Sequence, residues 1–130
     1  EQWRAALGGP SVELPAGLVG DEDDADEDML VAARRELEEE TGFRADHWTF
    51  LYEGASSAGL TPETVHIYLA TGLTRAGPGG GTEHENITVH VVPLEGIEDW
   101  LAAQRRRGAV IDIKVYGALG AARGAVRPAG

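Results

Sequence analysis

An α/β domain is what this sequence predicts, and two observations predict it. Segments of bulky or β-branched residues are interleaved with segments whose apolar residues recur three and four positions apart, the signatures of strand and helix. Between the first strand-like segments and the next lies a glutamate-rich run, Arg35-Glu36-Leu37-Glu38-Glu39-Glu40, which stops abruptly at Thr41-Gly42. At 130 residues and 13.8 kDa the chain has room for one core and not for two, so a single domain over 1–130 is expected.

The elements follow in order. Glu1 to Arg4 is strand-like, and Val12-Glu13-Leu14-Pro15 reads as a short strand leading into Ala16-Gly17. An acidic loop, Gly20 to Asp26, precedes a helix predicted from about Asp26 to Thr41. Leu30, Ala33 and Leu37 give that helix an apolar stripe, and Gly42 suits the left-handed residue that closes a helix. Trp48 to Tyr52, Thr64 to Ala70 and Asn86 to Pro93 each read as strands, separated by the glycine-rich loop Arg75 to Gly81. Gly96 to Arg107 reads as a helix with Ile97, Trp100 and Leu101 on one face. A final helix begins near Asp112, a good cap, and is expected to turn Val115, Tyr116 and Leu119 inward. Its glycines, Gly117 and Gly120, weaken it in isolation.

Composition limits the chemistry. With no Cys, disulfides and thiolate nucleophiles are excluded. No run of apolar residues is long enough to span a membrane, no signal-peptide pattern is visible, and a cytoplasmic location is expected. Net charge is −11 with a pI near 4.6, which argues against nucleic-acid binding through a basic surface. The same charge would repel a phosphate substrate unless a bound cation intervened.

The glutamate run invites that cation. Glu36, Glu39 and Glu40 lie three and four residues apart and so share one stripe of the helix. At roughly 5–6 Å separation and an effective dielectric of about 20, each pair costs on the order of 3 kcal/mol. Full solvation would lower that below about 1 kcal/mol, so a solvated acidic face is the simpler reading of such a run. A hard divalent ion held by carboxylate oxygen is the alternative.

Glu27, Arg35, Glu36, Leu37, Glu39, Glu40, Gly42 and Phe43 together resemble the box of the Nudix hydrolases, G-x5-E-x7-R-E-U-x-E-E-x-G-U, where U is a bulky apolar residue. One departure is clear: Asp21 stands where the leading Gly belongs, and Gly17 is its counterpart across a four-residue insertion. The flanking Glu13-Leu14-Pro15-Ala16-Gly17 and Ile87-Thr88-Val89-His90-Val91-Val92-Pro93-Leu94 resemble the ADP-ribose pyrophosphatase branch. That branch usually carries further strands and a dimer-forming region upstream, so an N-terminally truncated chain and a homodimer of the full-length protein are expected.

The resemblance implies an α/β/α sandwich with a mixed sheet and a loop-helix-loop box. It implies Mg²⁺, or Mn²⁺, held by Glu36, Glu40 and Glu39, with the backbone carbonyl of Ala16 completing the site. Arg35 is expected to hold a box carboxylate in place rather than touch substrate. The base in this branch tends to sit on a flexible loop after the third or fourth strand; Glu83 is assigned as base and Glu85 as ligand. The alternatives are that both are ordinary loop acids, that their roles are exchanged, or that the base comes from the box helix. Arg4 and Gly17 are the expected substrate contacts, a salt bridge from Arg4 to Glu13 being the alternative for Arg4. Trp3 either stacks on a base or belongs to the core, and His84 and His90 are structural or solvated. Arg105-Arg106-Arg107 suits a helix C-terminus, where positive charge meets the dipole.

Three functions compete at this stage. The leading one is Mg²⁺-dependent hydrolysis of a nucleoside diphosphate derivative, ADP-ribose above all, to AMP and ribose 5-phosphate. The second is a pyrophosphatase for nucleoside triphosphates or other diphosphates. The third is a non-catalytic module that binds ADP-ribose-like ligands; an intact Glu36, Glu39 and Glu40 argues against it.

Overall fold

A computed structural model describes residues 1–17 and 28–125. The acidic insertion and Glu27 lie outside the described residues. Eight elements follow one another: β1 (Gln2–Arg4), β2 (Gly9–Val12), α1 (Met29–Thr41), β3 (Phe43–Ala55), β4 (Thr64–Arg75), α2 (Ile97–Arg106), β5 (Val110–Ile111) and α3 (Ile113–Ala125). The order is that of an α/β domain.

Strands β1, β2 and β5 form a mixed sheet: β1 runs antiparallel to β2, and β5 runs parallel to it, with Val12 opposite Ile111. The core is built on this sheet. Val12, Leu101, Ala109, Ile111 and Val115 are buried together, with Leu14, Ile97, Trp100 and Leu119 packed around them. The predicted face of α2 is therefore its core face, and Leu101 at 1% exposure is its centre. Burying such a leucine contributes roughly 1.5–3 kcal/mol.

Strands β3 and β4 form a separate antiparallel hairpin, irregular between Phe50 and Tyr52. Both run well beyond the expected 48–52 and 64–70, because pairing of Phe43 with Arg75 at one end and Ala55 with Thr64 at the other satisfies the backbone over the whole length. Its outer parts intersperse Arg44, Asp46, Glu53, Gly54 and Gly72 among the apolar residues, which breaks up the strand signal.

Four expectations need correction. The first strand of the Val12 region is Gly9–Val12, not 12–15, because its partners Gln2 to Arg4 end opposite Gly9. Asn86 to Pro93 forms no strand: it meets β1 through an isolated bridge from Ile87 to Gln2, flanked by the Thr88 amide on the Glu1 carbonyl, 2.9 Å, and the Glu1 ammonium on the Thr88 carbonyl, 2.7 Å. With β1 three residues long, there is little edge to build a ladder on. Trp3 is 63% exposed and so is no part of the core. Tyr116 is exposed as well, its hydroxyl accepting a hydrogen bond from Arg105. Arg105 and Arg107 thus have specific partners, since Arg107 donates to Gln104 and Glu1, beyond any effect on the helix dipole.

Candidate active site

Helix α1 is set by its two ends. Asp28 is extended and its carboxylate accepts the Leu30 amide at 2.8 Å, a side-chain cap that sets the first helical residue at Met29, three residues later than the expected start. At the other end Gly42 has φ +79° and donates its amide to the Glu38 carbonyl. A β-carbon at Gly42 would overlap the Gly77 carbonyl, so glycine is required there on two counts.

The overlap exists because the glycine loop is docked on this helix end. Ala76 and Gly77 donate to the Gly42 carbonyl at 2.7 and 3.1 Å; Gly80 donates to the Glu40 carbonyl at 2.8 Å and Gly81 to that of Glu39 at 2.9 Å. Carbonyls in the last turn have no partner within a helix, and here the loop supplies them. Gly79, at φ +68°, passes so close that a β-carbon on it would stand 2.5 Å from the Thr41 carbonyl carbon. The loop expected to be free is therefore pinned, and it carries the following acids towards the helix.

Glu85 is held by the Thr82 amide and hydroxyl, both at 3.1 Å, and its charge acts on both Glu36 and Glu40. Glu83 is 89% exposed, with His84 at 3.7 Å its neighbour. Of the two loop acids, Glu85 is the one whose charge reaches the box carboxylates.

Those carboxylates are not equivalent. Glu36 has 12% of its side chain exposed against 45% for Glu39; it takes the Arg35 guanidinium at 2.8 Å, and Arg35 also meets Glu39 at 3.5 Å. Burial nonetheless pushes the Glu36 carboxyl above its ordinary value, with Glu39 and Glu85 adding to the shift and Arg35 opposing it. Glu40 is pushed up to about 7, first by burial and then by Glu36, Glu85 and Glu13, although its Oε2 accepts the Ala16 amide at 2.8 Å. Gly17 packs against Glu36, where any β-carbon would overlap the carboxylate. Ala16 and Gly17 are thus held directly over Glu40 and Glu36. Glu38 faces elsewhere, in a bidentate pair with Arg44.

Among the described residues no three His, Asp or Glu side chains are gathered as a finished cation cage. The donor set still fits a hard divalent ion. Glu36, Glu40 and Glu85 offer carboxylate oxygens; burial first, and neighbouring carboxylates second, raise Glu36 and Glu40, and an oxygen-preferring cation would relieve that cost. Arg35 is committed to Glu36 and Glu39, as a positioning role requires.

Beside Glu40 opens a cleft of about 240 Å³ bordered by Arg4, Glu13, Ala16, Glu40, His90 and Trp100. Arg4 makes a bidentate pair with Glu13, Nε and Nη2 donating at 2.8 Å each. His90 tilts against Trp100 with ring centroids 5.2 Å apart and meets Glu1 Oε1 at 2.9 Å. Sequence reasoning had no signal for the cleft itself, nor for Trp100 and His90 as its walls. Glu13 was visible as a possible partner of Arg4 and as part of the segment flanking the box, but not as a wall of the cleft. No helix among the described residues is long and apolar enough to cross a membrane.

Known proteins resemble this chain in sequence and in fold. A methanol dehydrogenase activator of Bacillus methanolicus is 38% identical over 85 residues, covering 65% of this chain and 44% of its own length. An ADP-ribose pyrophosphatase of Mycobacterium tuberculosis is 38% identical over 94 residues, 72% of this chain and 44% of its own. The chain therefore spans about half the length of the curated relatives it matches. A solved structure of an ADP compounds hydrolase superposes with a TM-score of 0.71 at 24% identity, covering 95% of this chain and 62% of that one; this establishes the fold, an α/β arrangement with a mixed sheet. The family model of the NUDIX domain matches residues 2–112, and with the box helix, its glycine stop and Ala16-Gly17 packed over its carboxylates, the chain belongs to the Nudix family.

Proposed function

We propose that this chain hydrolyses the diphosphate linkage of a nucleoside diphosphate derivative of the ADP-ribose type, with Mg²⁺ as its cation. The observation that carries the reading is the apposition of Glu40 and Glu36 to Ala16 and Gly17, with Ala16 and Glu40 also lining the cleft that holds Arg4. Relatives named for ADP-ribose hydrolysis support the substrate class.

A divalent ion, when bound, would screen the substrate's charge and stabilise charge developing on the leaving phosphate. Glu36, Glu40 and Glu85 are the side chains that would hold it, with Glu39 helping directly or through water and the Ala16 backbone beside them. Arg35 keeps Glu36 and Glu39 in place. Arg4 offers its guanidinium to phosphate oxygen, and Gly17, lacking a side chain, lets the substrate approach the backbone. Water attacking phosphorus must lose a proton; Glu83, solvent-exposed on the turn that anchors Glu85, is assigned that proton by resemblance to the family.

The test is a substrate screen. ADP-ribose, NADH, GDP-mannose and dGTP are incubated with Mg²⁺, following AMP or phosphate release, with Glu40→Gln as control. ADP-ribose is expected to be the best substrate. A preference for dGTP would move the chain to the nucleoside triphosphate class, and binding of ADP-ribose without turnover would make it a binding module.

A further inference from the structure

The Arg4–Glu13 pair borders the cleft, and its asymmetry is informative. Glu13 is the more enclosed partner, with 22% of its side chain exposed against 48% for Arg4. Its carboxyl is held below the ordinary value, chiefly by Arg4, with the hydroxyl of buried Ser11 also favouring the charged form. Glu13 is thus the anchored end of the pair and Arg4 the presented end.

We propose that Glu13 is a positioning residue whose carboxylate fixes the Arg4 guanidinium in the cleft, leaving its uncommitted N–H groups for the substrate diphosphate. The inference rests on the hydrolase reading above. A guanidinium has five N–H donors in a rigid plane, and Glu13 takes one from Nε and one from Nη2. The other three have no side-chain partner among the described residues, and planar, paired donors are the chemistry that recognises phosphate oxygens. Two other acids, Glu40 and Glu85, also attract Arg4. Unclamped, its long side chain would be drawn towards the carboxylates that the cation needs. Glu13 holds it in one orientation before substrate arrives, which removes that ordering cost from binding.

The experiment is a double-mutant cycle on the full chain with Mg²⁺ and ADP-ribose, using Glu13→Gln, Glu13→Asp, Arg4→Ala and the double variant Glu13→Gln/Arg4→Ala. Thermal unfolding confirms that each folds, and calorimetry with Mg²⁺ alone reads the cation site separately. Glu13→Gln is expected to raise KM about 10-fold with kcat within about 2-fold. Glu13→Asp, charged but too short to span both nitrogens in place, should fall between it and wild type. The double variant should be no worse than Arg4→Ala, because the acid acts only through the arginine. Independent, multiplying effects would overturn the proposal, as would an unchanged KM in Glu13→Gln. Weakened Mg²⁺ binding in that variant would instead make Glu13 a cation ligand and overturn it too. Should wild type neither bind nor cleave ADP-ribose, the hydrolase reading and this one fall together; should wild type cleave it normally while the cycle shows no coupling, the positioning role alone falls.

Discussion

The Gly80 amide donates to the Glu40 carbonyl at 2.8 Å, so the backbone of one box glutamate is fastened to the loop that leads into Glu85, whose charge acts on that glutamate. The glycine loop is thereby tied to the end of the box helix.

Gly79→Ala tests that fastening. The position has φ +68° and no room for a β-carbon beside Thr41, so alanine costs about 1–3 kcal/mol in backbone strain alone. The loop is expected to detach. Amide exchange at Gly80 and Gly81 should accelerate, and turnover should fall by roughly 10-fold or more.

Glu40→Gln keeps an acceptor for the Ala16 amide but removes the charge a cation needs. A loss of at least about 100-fold in turnover is expected, or ~2.7 kcal/mol in the barrier. Mg²⁺ should raise the Tm of wild type by mass action and leave the variant unmoved. Glu38→Ala, which removes only an exposed pair with Arg44, should change neither turnover nor the response to Mg²⁺.

Without metal, stability should fall as pH rises from about 4.5 towards 7. The Glu40 carboxyl sits at about 7 in the folded chain against 4.5 ordinarily, so folding favours its protonated form. That contribution is complete below the unfolded value and is lost as pH climbs through the folded one. Glu36 shifts in the same direction, whereas Glu13 and Glu1, held low by arginine, act oppositely at lower pH. The difference between wild type and Glu40→Gln isolates Glu40: unfolding curves across pH 4–8 should show a shallower decline in the variant, and parallel curves would refute the assignment.

Leu101→Ala should cost about 2–5 kcal/mol, because Leu101 is enclosed by Val12, Ile111 and Val115. The readout is a fall in Tm on the order of 10 °C. The box should survive, since helix α1 packs elsewhere, chiefly against β3.

The box and its helix were legible because their signals are local: Gly42 must adopt positive φ, and glutamates three and four apart must share a face. The core face of α2 and the Asp112 cap, with the Lys114 amide on its Oδ1 at 2.8 Å, were legible for the same reason. What failed was non-local. Whether Asn86 to Pro93 becomes a strand depends on how long an edge β1 offers, and nothing within 86–93 encodes that. The extra length of β3 and β4 comes from cross-strand bonding between residues with weak strand preference. Glu85 could be separated from Glu83 only once the loop's hydrogen bonds to the helix were known.

Gly42 and Gly79 interlock backbone to backbone, and neither tolerates a side chain. Sequence drift or engineering in this loop must therefore leave these two positions bare. Loop grafts from distant relatives will succeed only when they import both halves of the joint.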